Sequence, residues 1–180
     1  TWRACAHSYA DRTRAARGTI RGVTKLAGAH ILVTGGSSGI GLALADLCAA
    51  RGSAVSLVAR DRDRLDAARE AVRSHTTGAR IAVASADVTD RVGLREVVGA
   101  LAAAQGPVDV LVTCAGYAHP GHFVDLDDAV FRRQMEVDYF GTLYAVQAVT
   151  PSMIARGRGH LVLVASTVAL IGIYGYSAYA

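Results

Sequence analysis

The segment ILVTGGSSGIG, at residues 31–41, runs from a short apolar stretch through a glycine-rich turn into a helical pattern. A buried strand followed by such a turn and a helix is typical of the first βα unit of a dinucleotide-binding sheet. The glycines follow the spacing G-x-x-x-G-x-G rather than the more common G-x-G-x-x-G. We therefore expect the phosphates of a dinucleotide to lie at the N-terminus of the helix, against its exposed N–H groups.

Each residue of this turn has an expected part in binding. Gly35 permits the sharp turn, Gly39 lets a pyrophosphate approach the backbone, and Gly41 allows the helix to pack closely on the strand. Serine hydroxyls at two positions of the turn add hydrogen-bond donors. The residues that we expect to bind the phosphates are Gly35, Ser37, Ser38, Gly39, Ile40 and Gly41.

Beyond this segment, continuous apolar runs alternate with helical patterns, which is the signature of βαβ units in a parallel sheet covered on both faces. The predicted strands are residues 30–34, 54–59, 80–84, 108–113 and 160–165. The predicted helices are residues 39–51, 62–75, 90–104 and 127–156. Right-handed crossovers then give an α/β, Rossmann-like doubly wound sheet of order 3-2-1-4-5, with the C-terminal strands of a complete fold missing.

Three local features refine this prediction. Gly52 suits a left-handed cap at the end of the first helix. Pro151 should kink the last helix or end it early, and Phe131, Met135 and Val146 should face inward from that helix. The run at residues 161–164 should form an apolar sheet edge, which is an aggregation hazard.

Composition narrows the class of protein. The chain has 180 residues, of which 52% are hydrophobic, enough for one domain with a core of its own. No apolar run reaches the roughly 18 residues that span a bilayer. The three cysteines are odd in number and far apart, so we expect reduced thiols, a cytoplasmic location and no metal site.

The net charge of +4 is concentrated at one end of the chain. Residues 1–29 hold six basic residues against Asp11 alone, a net of +5, which leaves −1 for the rest. We therefore divide the chain into a basic N-terminal extension, residues 1–29, and a nucleotide-binding domain, residues 30–180. The extension suits a solvated arm, a surface-binding arm or a targeting segment. Nucleic-acid binding is not expected, because only this arm is basic and no aromatic residues are spaced to stack on bases.

The end of the second predicted strand indicates which dinucleotide binds. An NAD site usually has a carboxylate there for the ribose 2′-hydroxyl, whereas this chain has Ala59 followed by Arg60. Arg60 is placed to meet a 2′-phosphate, and Arg64, one helical turn later, adds a second positive charge. The alternative is that both are solvated arginines at the start of a helix. We favour NADP(H) as the cofactor.

Near the C-terminus, Ser166 ends the fifth predicted strand and Tyr179 follows it by thirteen residues. With the glycine turn, this pair resembles the short-chain dehydrogenase/reductase family. The resemblance implies that Tyr179 gives a proton to a ketone oxygen while Ser166 hydrogen-bonds that oxygen and a nicotinamide supplies hydride. Tyr174 and Tyr176 do not match the family spacing. An ordinary strand-end hydrogen bond remains the alternative for Ser166.

The same resemblance assigns further residues. It implies that Asp87 accepts from the adenine amino group and that Val88 packs on the ring, although a turn aspartate capping the helix near Asp90 is the alternative. It implies that the stretch Cys114, Ala115 and Gly116, where the family usually has Asn-Ala-Gly, passes beneath the ribose. Asp138 stands where the family has an asparagine that supports a proton relay, and an ionised carboxylate accepts but cannot donate.

The family also has a lysine four residues after the tyrosine. Here the chain ends at Ala180, and Lys25 is the only lysine. We therefore expect a chain truncated just after its catalytic tyrosine. The alternative to an active enzyme is a catalytically weak NADP-binding module, or part of a short-chain dehydrogenase of other specificity.

Several segments resemble one subgroup, the 3-ketodihydrosphingosine reductases. The segments are GAH at 28–30, LVAR at 57–60, GPVD at 106–109, GHF at 121–123 and LIGIYGYSAY at 170–179. This resemblance implies an NADPH-dependent oxidoreductase of sphingolipid metabolism that reduces 3-ketosphinganine to sphinganine, or acts on a related lipid ketone. It also implies that the full-length form is a homo-oligomer. Association with a membrane surface is left open, because a basic arm stands where eukaryotic members have a hydrophobic anchor.

Overall fold

A computed structural model of the chain describes residues 24–180 and contains a five-stranded parallel sheet of order β3-β2-β1-β4-β5. The strands are β1 His30–Thr34, β2 Ala54–Ala59, β3 Arg80–Ser85, β4 Val110–Thr113 and β5 His160–Leu163. The helices are α1 Gly39–Ala50, α2 Arg62–His75, α3 Arg91–Gln105, α4 Asp128–Gln134 and α5 Gly141–Ala155. A π-helical turn, Met135–Phe140, joins α4 to α5, and short 3₁₀ turns occupy Phe123–Asp125 and Thr167–Ala169. The predicted fold class and strand order are confirmed.

The core is built on both faces of the central strand, β1. Its side chains alternate, so that Ile31 and Val33 pack with residues of α1 and α2, while Leu32 packs with residues of α3 and α5. All five residues of β1 are buried. Because helices cover both faces, the three central residues Ile31, Leu32 and Val33 are all apolar rather than alternating with polar residues.

The helix ends follow ordinary capping chemistry. The side chain of Asp61 accepts from the N–H of Arg64 and caps α2, and that of Asp90 accepts from the N–H groups of Val92 and Gly93 and caps α3. Asp90 therefore precedes the helix that we expected it to begin. Gly52 lies beyond α1 with φ of 80°, as predicted for a left-handed cap.

The single helix predicted for residues 127–156 is wrong in detail. A π-helical turn widens the helix after Gln134, so that Met135 is 51% exposed and does not face inward as predicted. The buried positions of this region are instead Gln134 and Val137. The extra residue in the wider turn rotates the inward face away from the position that a regular 3.6-residue period gives.

Pro151 does not end α5 early, since the helix continues through it to Ala155. Val149 and Met153, on either side of the proline, are both buried in the core. The packing of this face stabilises the helix by more than the loss of one backbone hydrogen bond at the proline destabilises it.

The strand β5 pairs with β4 and forms one edge of the described sheet. The side chains of Leu161, Val162, Leu163 and Val164 are 40–53% exposed. The predicted apolar edge is confirmed.

Residues 1–23, with most of the basic extension, lie outside the described residues, so the domain boundary at residue 29 stays a prediction. The described part of the extension contacts the domain: Ser53 Oγ donates to the Leu26 carbonyl at 2.7 Å, and Gly28 N–H donates to the Gly52 carbonyl at 3.0 Å. Within residues 24–180, no helix combines the length and the apolar character needed to cross a bilayer.

A buried histidine lies at the amino end of the sheet. His30 is 2% exposed, with Nδ1 2.6 Å from the Gly106 carbonyl oxygen and Nε2 2.8 Å from Ser56 Oγ. Because a carbonyl only accepts, Nδ1 carries the proton and Nε2 accepts from the Ser56 hydroxyl. Burial lowers the pKa of His30 below its usual value, although the bond to Gly106 and the charge of Asp109 partly oppose this. The folded chain therefore holds His30 neutral.

We expect His30→Gln to make the fold less sensitive to acid. With a lowered pKa in the folded state, the unfolded chain binds more protons as pH falls below about 6.5, so the stability due to neutral His30 is present above that pH and lost below it. Denaturant unfolding measures the free energy of unfolding at about pH 7.5 and about pH 5.5. Between these two pH values, this free energy should fall less in the variant than in the wild type. His75→Gln, at an exposed position, is the control. A wild-type pH slope in His30→Gln would contradict this account.

Candidate active site

The glycine turn after β1 lies against the end of β4. Gly35 has φ of 69°, and a Cβ there would lie 2.5 Å from the Ala115 nitrogen, so only glycine permits this crossing. The N–H of Gly35 donates to the Val58 carbonyl at 2.8 Å, which ties the turn to β2 as well. The turn is thereby fixed between the carboxyl ends of three strands.

The start of α1 faces open space. Ser38 precedes the helix and makes no side-chain capping bond, so its hydroxyl leaves the first-turn N–H groups free. Gly39, the first helical residue, has φ of 52°, and a Cβ built on it meets no atom within 4 Å. The turn therefore presents unpaired N–H groups and the positive end of a helix dipole to a cradle with room for an anion.

Two arginines lie at the end of β2. Arg60 follows the strand, and its carbonyl accepts from Ser85 Oγ at 2.7 Å, which holds its backbone at the sheet edge. Arg64 is in the first turn of α2, where its N–H donates to Asp61 Oδ1 at 3.0 Å. The carboxylate of Asp61, which lies between the two arginines in the sequence, thus caps helix α2.

Asp87 lies beyond β3 and does not cap the next helix, because Asp90 does so. Its Oδ1 accepts from the N–H and the hydroxyl of Thr89, at 2.9 and 2.8 Å, and its Oδ2 lies 3.6 Å from Arg133 Nη2. Burial alone would raise the pKa of Asp87, but these bonds and the charges of Arg133 and Arg60 outweigh it and hold the pKa below its usual value. Asp87 is therefore an ionised acceptor.

The end of β4 forms the floor of the same region. The N–H of Cys114 donates to the Thr34 carbonyl at 3.0 Å, which continues the sheet to the level of the glycine turn. Burial raises the pKa of the Cys114 thiol, and of the Cys48 thiol in α1, so both stay protonated. Both are free cysteines, whereas Cys5 lies outside the described residues.

Asp138, in the π-helical turn, clamps the loop that leaves β4. Its Oδ1 accepts from the Tyr117 N–H at 2.8 Å, and its Oδ2 accepts from the Gln134 amide, which also donates to the Tyr117 carbonyl. Burial raises the pKa of Asp138, and the two hydrogen bonds only partly oppose this. Both oxygens of the carboxylate are thus used to hold the Tyr117 backbone.

Ser166 and Tyr179 lie beyond β5. Ser166 Oγ accepts from the Val168 N–H at 3.2 Å and caps the short 3₁₀ turn, so the hydroxyl keeps its own proton to donate. Tyr179 packs edge-on against Tyr176, with ring centroids 6.3 Å apart. Among the described residues, no hydrogen bond joins Tyr179 to Ser166.

These segments enclose a cleft of about 380 Å³ at the carboxyl edge of the sheet, a volume typical of small-molecule sites. Thirteen residues assigned from the sequence line it: Gly35, Ser37, Ser38, Gly39, Ile40, Gly41, Arg60, Arg64, Asp87, Val88, Cys114, Ala115 and Gly116. Ser166, Tyr179 and Asp138 are not among its lining residues. Within residues 24–180, no cluster of His, Cys, Asp or Glu side chains is arranged to hold a metal ion.

Six further lining residues were missed in the sequence: Ala59, Asp61, Ala86, Tyr117, Arg133 and Val137. Four of them adjoin the carboxyl ends of β2, β3 and β4, where ligands bind in open α/β sheets, so their positions offered a signal. Arg133 and Val137 are four residues apart, at the end of α4 and in the π-helical turn. The one signal for this segment in the sequence was the resemblance that assigned a role to the neighbouring Asp138.

Comparison with known proteins agrees with this geometry. A family model described as short chain dehydrogenase matches residues 29–180. A 3-ketodihydrosphingosine reductase of Dictyostelium discoideum is 37% identical over 171 residues, a match that covers 86% of this chain and 51% of that protein. The chain spans about half the length of the curated relatives that it matches.

Solved structures share the fold. A variant of actinorhodin polyketide ketoreductase with NADPH superposes with a TM-score of 0.80 at 29% identity, and covers 88% of this chain and 60% of its own. An NAD⁺-bound xylitol dehydrogenase gives a TM-score of 0.82 at 29% identity, covering 87% of this chain and 60% of its own. With the glycine turn, the strand order and the family match in agreement, the chain belongs to the short-chain dehydrogenase family.

Proposed function

We propose that this chain binds NADP(H) in the cleft and carries the cofactor-binding part of an enzyme that reduces a ketone to a secondary alcohol. The observation that carries the proposal is the convergence on one cleft of thirteen residues chosen from the sequence. They come from four separate βα junctions, and a stretch of sequence chosen at random would not bring them together. The direct test is a fluorescence titration of the 180-residue chain with NADPH.

The residues present fit a dinucleotide diphosphate. The N–H groups at the start of α1 have no side-chain cap, and the space over Gly39 is open. Backbone donors at a helix N-terminus suit an anion without needing a basic side chain at that point. Ser37 and Ser38 also line the cleft and add hydroxyl donors.

We expect Gly39→Val to abolish most NADPH binding while the fold survives. A Cβ at this position meets no protein atom within 4 Å, so the valine side chain would project into the open cradle and occupy the space left for a phosphate. The positive φ of Gly39 adds backbone strain of about 1 kcal/mol or more, so circular dichroism and the unfolding midpoint must be measured as well. Gly78→Val, also at positive φ with open space, is a matched control for strain away from the cleft. Wild-type affinity in Gly39→Val would contradict the phosphate position.

The choice between the two nicotinamide dinucleotides depends on the end of β2. The solved relatives include one bound to NADPH and one bound to NAD⁺, so the fold alone does not decide it. Arg60 and Arg64 line the cleft, and the nearby carboxylate of Asp61 is bonded to the α2 backbone. Two guanidinium groups beside an engaged carboxylate favour a ribose 2′-phosphate over a 2′-hydroxyl.

We expect Arg60→Ala to lower the preference for NADPH over NADH by about tenfold, since a charge-assisted hydrogen bond contributes about 1.5 kcal/mol. NADH affinity should change little. Parallel titrations with both dinucleotides measure the ratio, and Arg95→Ala, an exposed arginine on α3, is the control. An unchanged ratio in Arg60→Ala would remove Arg60 from the 2′-phosphate site.

The proposed chemistry uses Ser166 and Tyr179. A bound nicotinamide supplies the hydride for the ketone carbon. The Tyr179 hydroxyl gives its proton to the ketone oxygen, and the Ser166 hydroxyl donates a hydrogen bond that stabilises charge on that oxygen. Ser166 is ready for this, because its oxygen accepts from Val168 and its proton remains free. Asp138 holds the Tyr117 backbone beside the cleft, a role that an acceptor fills without donating a proton.

We propose 3-ketosphinganine or a related lipid ketone as the substrate. The support is the resemblance of several segments to 3-ketodihydrosphingosine reductases and the match to a relative of that name. Two loops at the carboxyl edge, after β4 and β5, are also joined by a hydrogen bond from Gly121 N–H to the Gly175 carbonyl and expose large apolar side chains. Those side chains are Phe123, Val124, Leu170, Ile171 and Tyr174, and they offer apolar surface for a long alkyl chain. Homo-oligomerisation and a cytoplasmic location stay predictions.

We expect Tyr179→Phe to abolish ketone reduction while NADPH affinity stays near that of the wild type. The variant lacks the proton donor but keeps every residue that lines the cleft. Loss of NADPH absorbance with 3-ketosphinganine measures turnover, and Tyr176→Phe, at the wrong spacing from Ser166, is the control. NADPH binding without turnover in the wild-type chain would support the alternative, a catalytically weak NADP-binding module. Equal turnover in the wild type and Tyr179→Phe would exclude Tyr179 as the donor.

A further inference from the structure

Arg133 lines the cleft and has no role in the reaction described above. It lies in the last turn of α4, and its Nη2 is 3.6 Å from Asp87 Oδ2. The side chains of both residues are about one-third exposed, at 37% and 35%. The pair is therefore open to the cleft rather than buried in the core.

Packing between the helix and the segment after β3 fixes the distance between these two residues. Gly141, at the start of α5, lies against Val88: a Cβ on the glycine would be 2.7 Å from Val88 Cγ2. Val137 is buried, lines the cleft and lies four residues after Arg133. The close contact at Gly141 draws the helix towards Val88, which places Arg133 beside the neighbouring Asp87.

The two oxygens of Asp87 have different surroundings. Oδ1 accepts both bonds from Thr89, so Oδ2 is the oxygen left to accept from a ligand. The charged groups that act on this carboxylate are Arg133 from α4 and Arg60 from the end of β2. Because Arg133 is paired with a carboxylate, its charge adds less to phosphate binding than that of Arg60, which forms no salt bridge among residues 24–180.

We propose that Arg133 is a positioning residue: its guanidinium, 3.6 Å from Asp87 Oδ2, holds this carboxylate in place as the acceptor for the 6-amino group of an adenine ring, and so makes the cleft prefer adenine to hypoxanthine. The inference rests on the proposed function, since it concerns the adenine end of the same cofactor. An ionised carboxylate accepts from an amino group, whereas the 6-oxygen of hypoxanthine is itself an acceptor and is repelled.

The test compares the binding of NADPH and reduced nicotinamide hypoxanthine dinucleotide phosphate. We expect the wild type to prefer the adenine form and Arg133→Gln to reduce that preference by about two- to fivefold, as for partly exposed ion pairs. Arg133→Lys, which keeps the charge, should restore part of the preference. Arg132→Gln, at the exposed neighbouring position, is the matched control and should behave as the wild type.

The ratio of NADPH affinity to NADH affinity separates this positioning role from a direct contact with the phosphate. Arg133→Gln should leave the preference for NADPH over NADH unchanged, because that preference is assigned to Arg60. Full retention of the adenine preference in Arg133→Gln overturns the inference, and so does a shift in the NADPH to NADH ratio alone, which would make Arg133 a phosphate contact. A wild-type chain that binds none of these dinucleotides overturns the proposed function itself. Circular dichroism of both Arg133 variants checks that they are folded.

Discussion

The backbone of Gly35 passes so close to Ala115 that a single added carbon would lie 2.5 Å from the Ala115 nitrogen. This contact joins the ends of β1 and β4, the two strands between which the chain order of the sheet reverses. In doubly wound sheets the crevice for a ligand opens at that reversal, because the helices that follow the two strands lie on opposite faces. Here α1 lies on one face of the sheet, and α4 and α5 lie on the other. The cleft opens between them, beside the contact of Gly35 with Ala115.

The groups that attract anions in the cleft are of two kinds. The glycine turn offers backbone N–H groups and the positive end of α1, with no basic side chain of its own in the first helical turn. Positive side chains come from other segments, as Arg60, Arg64 and Arg133 line the cleft together with Asp61 and Asp87. One carboxylate caps a helix and the other is held by Thr89, so each has a fixed orientation.

Much of this arrangement could be predicted from the sequence, because strand ends and glycine turns are local features. The strand order followed from right-handed crossovers, and the glycine turn and Arg60 followed from their positions after predicted strands. Asp87, Val88 and the stretch 114–116 followed from the resemblance to the family. The π-helical turn could not be predicted in this way. A regular helical period places Met135 inward, whereas in the wider turn its side chain is exposed to solvent. Arg133 was missed for a related reason: its role depends on how close α4 comes to Val88, and that distance is set by packing at Gly141.

The sequence by itself determined the kind of fold, and it indicated the glycine turn and the polar residues at the strand ends as the proposed cofactor site. These depend on interactions between residues close together in the chain, such as capping, turn formation and strand propensity. The tertiary structure alone decided that Asp138 Oδ1 accepts from the Tyr117 N–H, that His30 is neutral and buried, and that Asp87 faces Arg133. Each of these joins residues at least 21 positions apart, through contacts that form only when separate helices and strands pack together.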